Sequence, residues 1–298
     1  FMGEEARDAV DAARTSIAAA IGADAKEIVF TSGATESNNL AIRGIAERER
    51  RRGNHVVSVT TEHKAVLDPL ARLARRGYDI TLLDVERHGS TCAGWLDPQK
   101  VADALRDDTC LVSVMLANNE IGIVQPLADI VALCKRRGML LHCDATQAVG
   151  KIPVDVRSLD VDLMSFTAHK IYGPKGIGAL YVRQRDPIVR LDAQISGGGQ
   201  QENRRSGTLN VPGIVGFAKA LELCIGEMPQ ETARQAAMRD RLAAELFQQL
   251  DEIELCGPAL DTLADDGRPL RLANNLDISF GNVDGEALLL AMGDVAVS

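Results

Sequence analysis

The sequence predicts an α/β fold: a mostly parallel sheet with helices on both faces. Two observations carry this expectation. Short apolar runs alternate along the chain with longer segments of helical period, the rhythm of successive βα units. Residues able to carry chemistry fall just after several of the apolar runs, at the carboxyl ends of the expected strands, where such sheets bind their ligands.

The elements follow in order. Residues 27–31 are expected as a strand that leads through a Gly-containing turn into a helix from about residue 37. Residues 55–60 form the next strand and 66–76 a helix ended by Gly77. A strand at 80–85 and a helix at 98–106 follow, then a strand at 111–116 and a helix at 127–137 stopped by Gly138. Further strands are expected at 139–143, 163–166 and 177–182. Residues 230–249, rich in Ala, Arg and Glu, read as a long amphipathic helix. A polar stretch at 261–268 and a strand at 276–280 come after it. The change of rhythm divides the chain into a large domain, 1–228, and the start of a smaller α+β domain, 229–298, incomplete in this sequence.

The 298 residues, 46% of them hydrophobic, suffice for a sizeable core. A net charge of −9 disfavours nucleic acid or an anionic membrane as the main partner, although residues 48–52 are locally basic. No apolar run approaches the roughly 20 residues needed to span a bilayer, and no signal peptide is evident. The six cysteines are scattered without a C-x-x-C pair, which argues against a disulfide framework or a zinc site and fits a reducing cytoplasm. The chain begins at Phe1 and stops at Ser298 within a strand-like apolar run, so it is read as part of a longer protein.

The run S-F-T-A-H-K-I-Y-G-P-K-G, residues 165–176, is the most informative stretch. It sets Lys170 before a Gly/Pro-rich turn rather than on a solvated helix face. A lysine held in a cleft loses solvation of its charged form, and the free amine becomes a nucleophile able to hold an aldehyde cofactor as a Schiff base. Upstream, T-S-G-A-T-E-S-N-N-L places Gly33, Thr35 and Ser37 where a helix begins. Free backbone N–H groups there suit a phosphate; an ordinary capped helix start, with Glu36 helping, is the competing reading. Asp144 follows the strand at 139–143, with Gln147 three residues on. A carboxylate at that point can pair with a protonated ring nitrogen, or cap a turn. His63 can stack on a ring or move protons, or simply begin a helix at the surface. Asn119 can donate to a phenolic oxygen or cap a turn. Thr167 and His169 flank Lys170 and can reach phosphate oxygens, and the glycine-rich loop 196–210, carrying Arg204, Arg205 and Thr208, reads as a flexible surface loop or as one that reaches an anion in a neighbouring subunit. Thr35, His63, Asn119, Asp144 and Lys170 all fall near carboxyl ends of expected strands, which converge on one crevice. Together they describe a pyridoxal phosphate pocket.

In order along the chain stand T-S-G-A-T-E-S-N-N-L-A-I-R-G, T-E-H-K-A-V-L-D, N-N-E-I-G-I-V-Q, H-C-D-A-T-Q-A-V-G-K, S-F-T-A-H-K-I-Y-G-P-K-G-I-G-A-L-Y-V and R-S-G-T-L-N. This series resembles the cysteine desulfurases of the housekeeping and nitrogenase-associated group, class V of the fold-type I pyridoxal phosphate enzymes. The resemblance implies that Lys170 forms the Schiff base, that His63 stacks on the ring as acid/base, and that Asp144 holds the pyridine nitrogen. It implies Asn119 and Gln147 at the ring oxygen, and Ala34, Thr35, Thr167, Ala168 and His169 at the phosphate, with Thr208 reaching across a homodimer. It implies conversion of L-cysteine to L-alanine, with sulfur left as a persulfide on a cysteine and passed to iron–sulfur scaffold or sulfur-carrier proteins. It implies no metal ligand.

The chain departs from the family pattern at four places. The nucleophilic cysteine loop and the substrate-carboxylate arginine are expected beyond residue 298. The family's N-terminal strand is missing. H-E-R-G reads Gln200, Gln201, Glu202, Asn203, and a short insertion near 89–95 carries Cys92. Other class V activities, a selenocysteine lyase or an aminotransferase, and a cofactor-binding assembly partner without sulfur chemistry remain alternatives at this point.

Overall fold

The computed structural model of the protein describes residues 2–293, 295 and 296. Helix α1 (Met2–Ala20) opens the chain, followed by β1 (Ile28–Thr31) and α2 (Ala34–Glu49). Then come β2 (His55–Val59), α3 (Lys64–Ala74), β3 (Asp79–Leu83), α4 (Pro98–Ala104), β4 (Thr109–Ser113) and α5 (Leu127–Arg136). The large sheet is completed by β5 (Leu140–Asp144), β6 (Leu163–Thr167) and β7 (Gly178–Val182), with the short helix α6 (Val156–Leu159) before β6.

These seven strands form one sheet in the order β1-β7-β6-β5-β4-β2-β3. Strands β3, β2, β4, β5 and β6 are mutually parallel, and β7 runs antiparallel to both β6 and β1. β1 therefore points the same way as the parallel set, and its carboxyl end joins theirs on one edge. Every residue of β2, β4 and β6 is buried, the mark of strands covered on both faces. The pleat sends neighbouring side chains to opposite cores. Val56, Leu111, Leu163 and Leu180 pack under α2 and α3, with Leu40, Ile42, Ile45, Val66, Leu70 and Leu73. Val57, Val112, Met164 and Tyr181 pack on the other face, with Val10 and Ile17 of α1 and Ile130 of α5. Phe217 and Leu221 of α7 (Val211–Gln249) belong to that same core.

Two differences from expectation stand out. Helix α1 was not anticipated; its stripe Val10, Ala13, Ile17 is spaced for one helical face and is buried. The helix expected at 230–249 is the second half of α7, which begins at Val211 and carries Pro229 in its interior. Ile214, Phe217, Ala218 and Leu221, one buried stripe at helical spacing, hold the first half against the sheet. The boundary expected at 228–229 thus falls inside a continuous helix. After it, β8 (Ile253–Leu255) pairs antiparallel with β9 (Ile278–Phe280), and α8 (Gly285–Ala291) follows. In the strand-like run expected at the chain's end, residues 294, 297 and 298 lie outside the described residues.

Candidate active site

The carboxyl ends of β1, β2, β4, β5 and β6 open into one cleft of about 500 Å³. Each strand contributes the residues just past its end. Ala34 and Thr35 come from the β1–α2 turn, His63 from the start of α3, and Asn119 from the segment after β4. Asp144 and Gln147 come from the end of β5, and His169 and Lys170 from the segment after β6. Eight of the expected site residues therefore share one cavity. Thr167 and Ala168 are buried in the wall behind it, and Thr208 is exposed on the loop 196–210, away from the lining.

Asp144 ends β5 and is fixed from two sides. Asn38 Nδ2 donates to its Oδ2 at 2.7 Å, and the Thr146 N–H donates to its Oδ1 at 2.9 Å. The side chain is only 5% exposed, so it meets the cleft through a narrow window. Two residues earlier on the same face lies His142, fully buried between two hydroxyls. Its Nδ1 is 2.9 Å from Ser113 Oγ and its Nε2 is 2.9 Å from Ser165 Oγ. Burial pushes this imidazole down to about 4 against the opposing pull of Asp144, so it is neutral at physiological pH. Glu62, also buried, accepts the Met115 N–H at 2.6 Å through Oε1, while its Oε2 has no partner. Burial first, and the Asp144 charge second, push the Glu62 carboxyl well above the ordinary range. Beneath the cleft, burial thus disfavours charge on both Glu62 and His142, and Asp144 is braced by donors.

At the opposite side, α2 begins at Gly33, whose φ of 153° suits glycine. First-turn N–H groups of a helix have no intrahelical partner and carry its positive dipole end, so this turn offers an anion cradle to the cleft. Backbone packs tightly beneath it: a Cβ on Gly178 would lie 2.7 Å from Gly33 Cα and 2.9 Å from Phe166 O. Ser37 does not serve the cradle, contrary to expectation. It is buried one turn down, 2.7 Å from Thr31 Oγ1. Arg205 makes a two-pronged contact with Glu36 of its own chain, at 2.7 and 3.2 Å. Burial would raise the Glu36 carboxyl, but bonds from Arg205 and the Ser32 N–H outweigh it and hold the group below its ordinary value. Arg204 is likewise engaged internally, donating to Lys26 O. Gln201 bridges Phe30 N and O with its amide, covering the edge of β1.

His63 caps α3. Its Nδ1 accepts the Ala65 N–H at 3.0 Å, which leaves the proton of the neutral ring on Nε2. Thr167 Oγ1 donates to Ile177 O at 3.1 Å and therefore accepts from His169 Nδ1, 3.0 Å away. Burial, with Lys170 and Lys175 nearby, holds His169 below its ordinary value. Lys170 stands on a 3-10 turn, Ala168–Ile171, closed by Tyr172 at φ 61°. The expectation that Lys170 is sequestered is not met within the single chain, where Lys170 is exposed at the cleft mouth and Tyr172 beside it is 90% exposed.

Sequence reasoning missed Asn38, Glu62 and His142. His142 was findable, being two residues before Asp144 and hence on the same strand face. Asn38 lies one helical turn inward from Ala34, at the i+4 spacing that keeps a residue on the cleft side. Nothing in the sequence distinguished Glu62 from a surface carboxylate. Among the described residues no cysteine lines this cleft.

A family model described as aminotransferase class-V matches residues 1–291. A curated protein named cysteine desulfurase IscS, from Anaeromyxobacter dehalogenans (strain 2CP-C), is 52% identical over 297 residues, covering 100% of this chain and 70% of its own. Another of that name, from Klebsiella pneumoniae (strain 342), is 49% identical over the same shares. Among solved structures, a NifS-like protein superposes with a TM-score of 0.91 at 36% identity, covering 100% of this chain and 78% of the other. A structure titled SspA in complex with cysteine gives 0.81 at 33% identity, over 99% and 78% of the two chains. With the model spanning nearly its whole length and relatives at half identity, the chain belongs to the aminotransferase class-V family, within its cysteine desulfurase group.

Proposed function

We propose that this protein is a pyridoxal phosphate-dependent cysteine desulfurase, converting L-cysteine to L-alanine and passing the sulfur on as a persulfide for iron–sulfur cluster or thio-cofactor assembly. The observation that carries the reading is a single cleft with a braced carboxylate at its floor, a helix N-terminus at one side and a lysine at its mouth. That donor set fits the cofactor. A phosphate suits the first turn of α2 with Thr35 beside it. Each Asp144 oxygen has one lone pair engaged and another free to accept a ring N–H. Asn119 and Gln147 offer amide donors for a ring oxygen, and His63 supplies a flat ring on the cleft wall. Lys170 supplies the primary amine that holds the aldehyde.

When bound, the cofactor provides the electron sink that weakens bonds at the substrate Cα. The chain's own residues prepare the site for it. Asp144 keeps the ring nitrogen protonated, and burial disfavours charge on the two other groups beneath it, Glu62 and His142. Asn38 and the Thr146 N–H hold that carboxylate in place. His63 carries its exchangeable proton on Nε2, the atom available to deliver or receive it. His169, tied through Nδ1 to Thr167, keeps Nε2 free at the phosphate side.

Our reading includes an isologous homodimer in which Thr208 of each chain approaches the partner's phosphate. The exposed apolar residues Tyr172, Val215 and Leu223 support a partner near the mouth of the cleft, which would also bury Lys170. It includes sulfur-accepting scaffold or carrier proteins, and cytoplasmic work, supported by six free thiols. No helix among the described residues is long and apolar enough to cross a membrane. The test is alanine formation from L-cysteine by the full-length protein with pyridoxal phosphate. Activity that disappears in Lys170→Ala supports the reading; a protein that binds the cofactor and releases no alanine ends it.

A further inference from the structure

Lys151 lies outside the chemistry described above, yet it touches the site. Its amine donates to Gln147 Oε1. Gln147 lines the 500 Å³ cleft, Lys151 lines an adjoining cavity of about 270 Å³, and Lys170 lines both. The Lys151–Gln147 bond and Lys170 therefore form the partition between the two cavities. Gly150 makes this approach possible. Its φ is +79°, and a Cβ there would lie 2.6 Å from Ile171 Cγ2 and 3.3 Å from Cys224 Cβ. Without a side chain at 150, the turn after Gln147 seats against the segment that carries Lys170.

The partition fixes which end of an amide faces the cofactor. An ammonium only donates, so Gln147 must present its oxygen to Lys151. That leaves the Gln147 Nε2 protons for the cleft. We propose that Lys151 is a positioning residue: it sets the amide of Gln147 so that a hydrogen-bond donor, not an acceptor, faces the ring oxygen of bound pyridoxal phosphate. This rests on the cofactor reading above.

The surroundings of Lys151 are mixed in charge. Lys170 faces it from the 3-10 turn, Cys224 from α7, and Glu227 and Glu231 of α7 line the same cavity. Burial first, and the Lys170 charge second, push the Lys151 amine down to about 8, so it remains a cationic donor at pH 7.

The test compares unmodified protein, Lys151→Met and Lys151→Arg. Two quantities are read: the dissociation constant of pyridoxal phosphate from the apo protein, and the pH midpoint of the visible band of the loaded protein. Losing a correctly turned donor is expected to weaken cofactor binding about tenfold. A donor to an oxygen anion favours the deprotonated form of the chromophore, so its loss raises the midpoint, by about one pH unit for a tenfold effect. Lys151→Arg keeps a donor and stays near the unmodified values. A Lys151→Met protein whose midpoint does not move overturns the inference, whether or not its affinity falls, because packing alone leaves the midpoint in place. Unmodified protein that binds no pyridoxal phosphate removes the cofactor reading itself, and the inference with it.

Discussion

His142 gives the sharpest quantitative expectation. It is fully buried between Ser113 and Ser165, beneath Asp144, and burial lowers it from 6.5 to about 4. The unfolded chain therefore takes up a proton near pH 6.5 that the folded chain refuses until about pH 4. The stability tied to this neutral ring is complete above the unfolded value and is lost as pH falls through the window between the two. Integrated from about pH 7 to about pH 5, the loss is about 2 kcal/mol. For a chain of this size that corresponds to about 3 °C in Tm. Other groups titrate over the same range, so the informative quantity is a difference. His142→Gln removes the titration while keeping an amide able to bridge the two serines. Thermal unfolding of both proteins at the two pH values should show the unmodified protein losing about 2 kcal/mol more than the variant on acidification. Parallel losses in both would refute the argument, because they would mean that the imidazole accepts its proton inside the fold.

Three further outcomes follow from contacts around the cleft. Glu62→Gln should stabilise the protein at neutral pH, since the folded carboxyl sits above 4.5 and resists ionisation that the unfolded chain undergoes. In denaturant titrations that gain should vanish as pH approaches 4, and a gain that is constant with pH would contradict it. Gly178→Ala forces a Cβ against the backbone of Gly33 and Phe166, which cannot retreat like a flexible side chain. It should cost about 1–3 kcal/mol in chemical unfolding and loosen the phosphate end of the cofactor. Asn38→Ala takes the 2.7 Å donor from Asp144 Oδ2 and should weaken both stability and cofactor binding, by about 1.5–3 kcal/mol in unfolding; a variant that unfolds like the unmodified protein would mean that Asp144 does not need this brace.

The parallel strands and most of their helices were legible because both signals are local: continuous apolar runs and helix-period stripes bounded by glycines such as Gly77 and Gly138. Strand-end logic gathered Thr35, His63, Asn119, Asp144 and Lys170, and all five line one cleft. What escaped was decided by tertiary packing. The helix expected from residue 230 is the second half of α7, whose first half is held to the sheet by the buried stripe from Ile214 to Leu221. Ser37 looks like a cradle hydroxyl until the turn of α2 rotates it onto Thr31. Glu62 and His142 have ordinary neighbours in sequence, and their charged forms are disfavoured only because the fold removes their water. The exposure of Lys170 is a property of the single chain that its motif does not reveal.

We propose that one particular amine in this cleft, that of Lys170, holds the cofactor. Three lysines stand close enough to compete: Lys170 and Lys175 line the cleft, and Lys151 lines the adjoining cavity. Borohydride reduction of the protein loaded with pyridoxal phosphate, followed by peptide mass mapping, tests the claim directly. A fixed pyridoxyl group on Lys170 is the predicted result; one on Lys151 or Lys175, with Lys170 unmodified, would contradict the account.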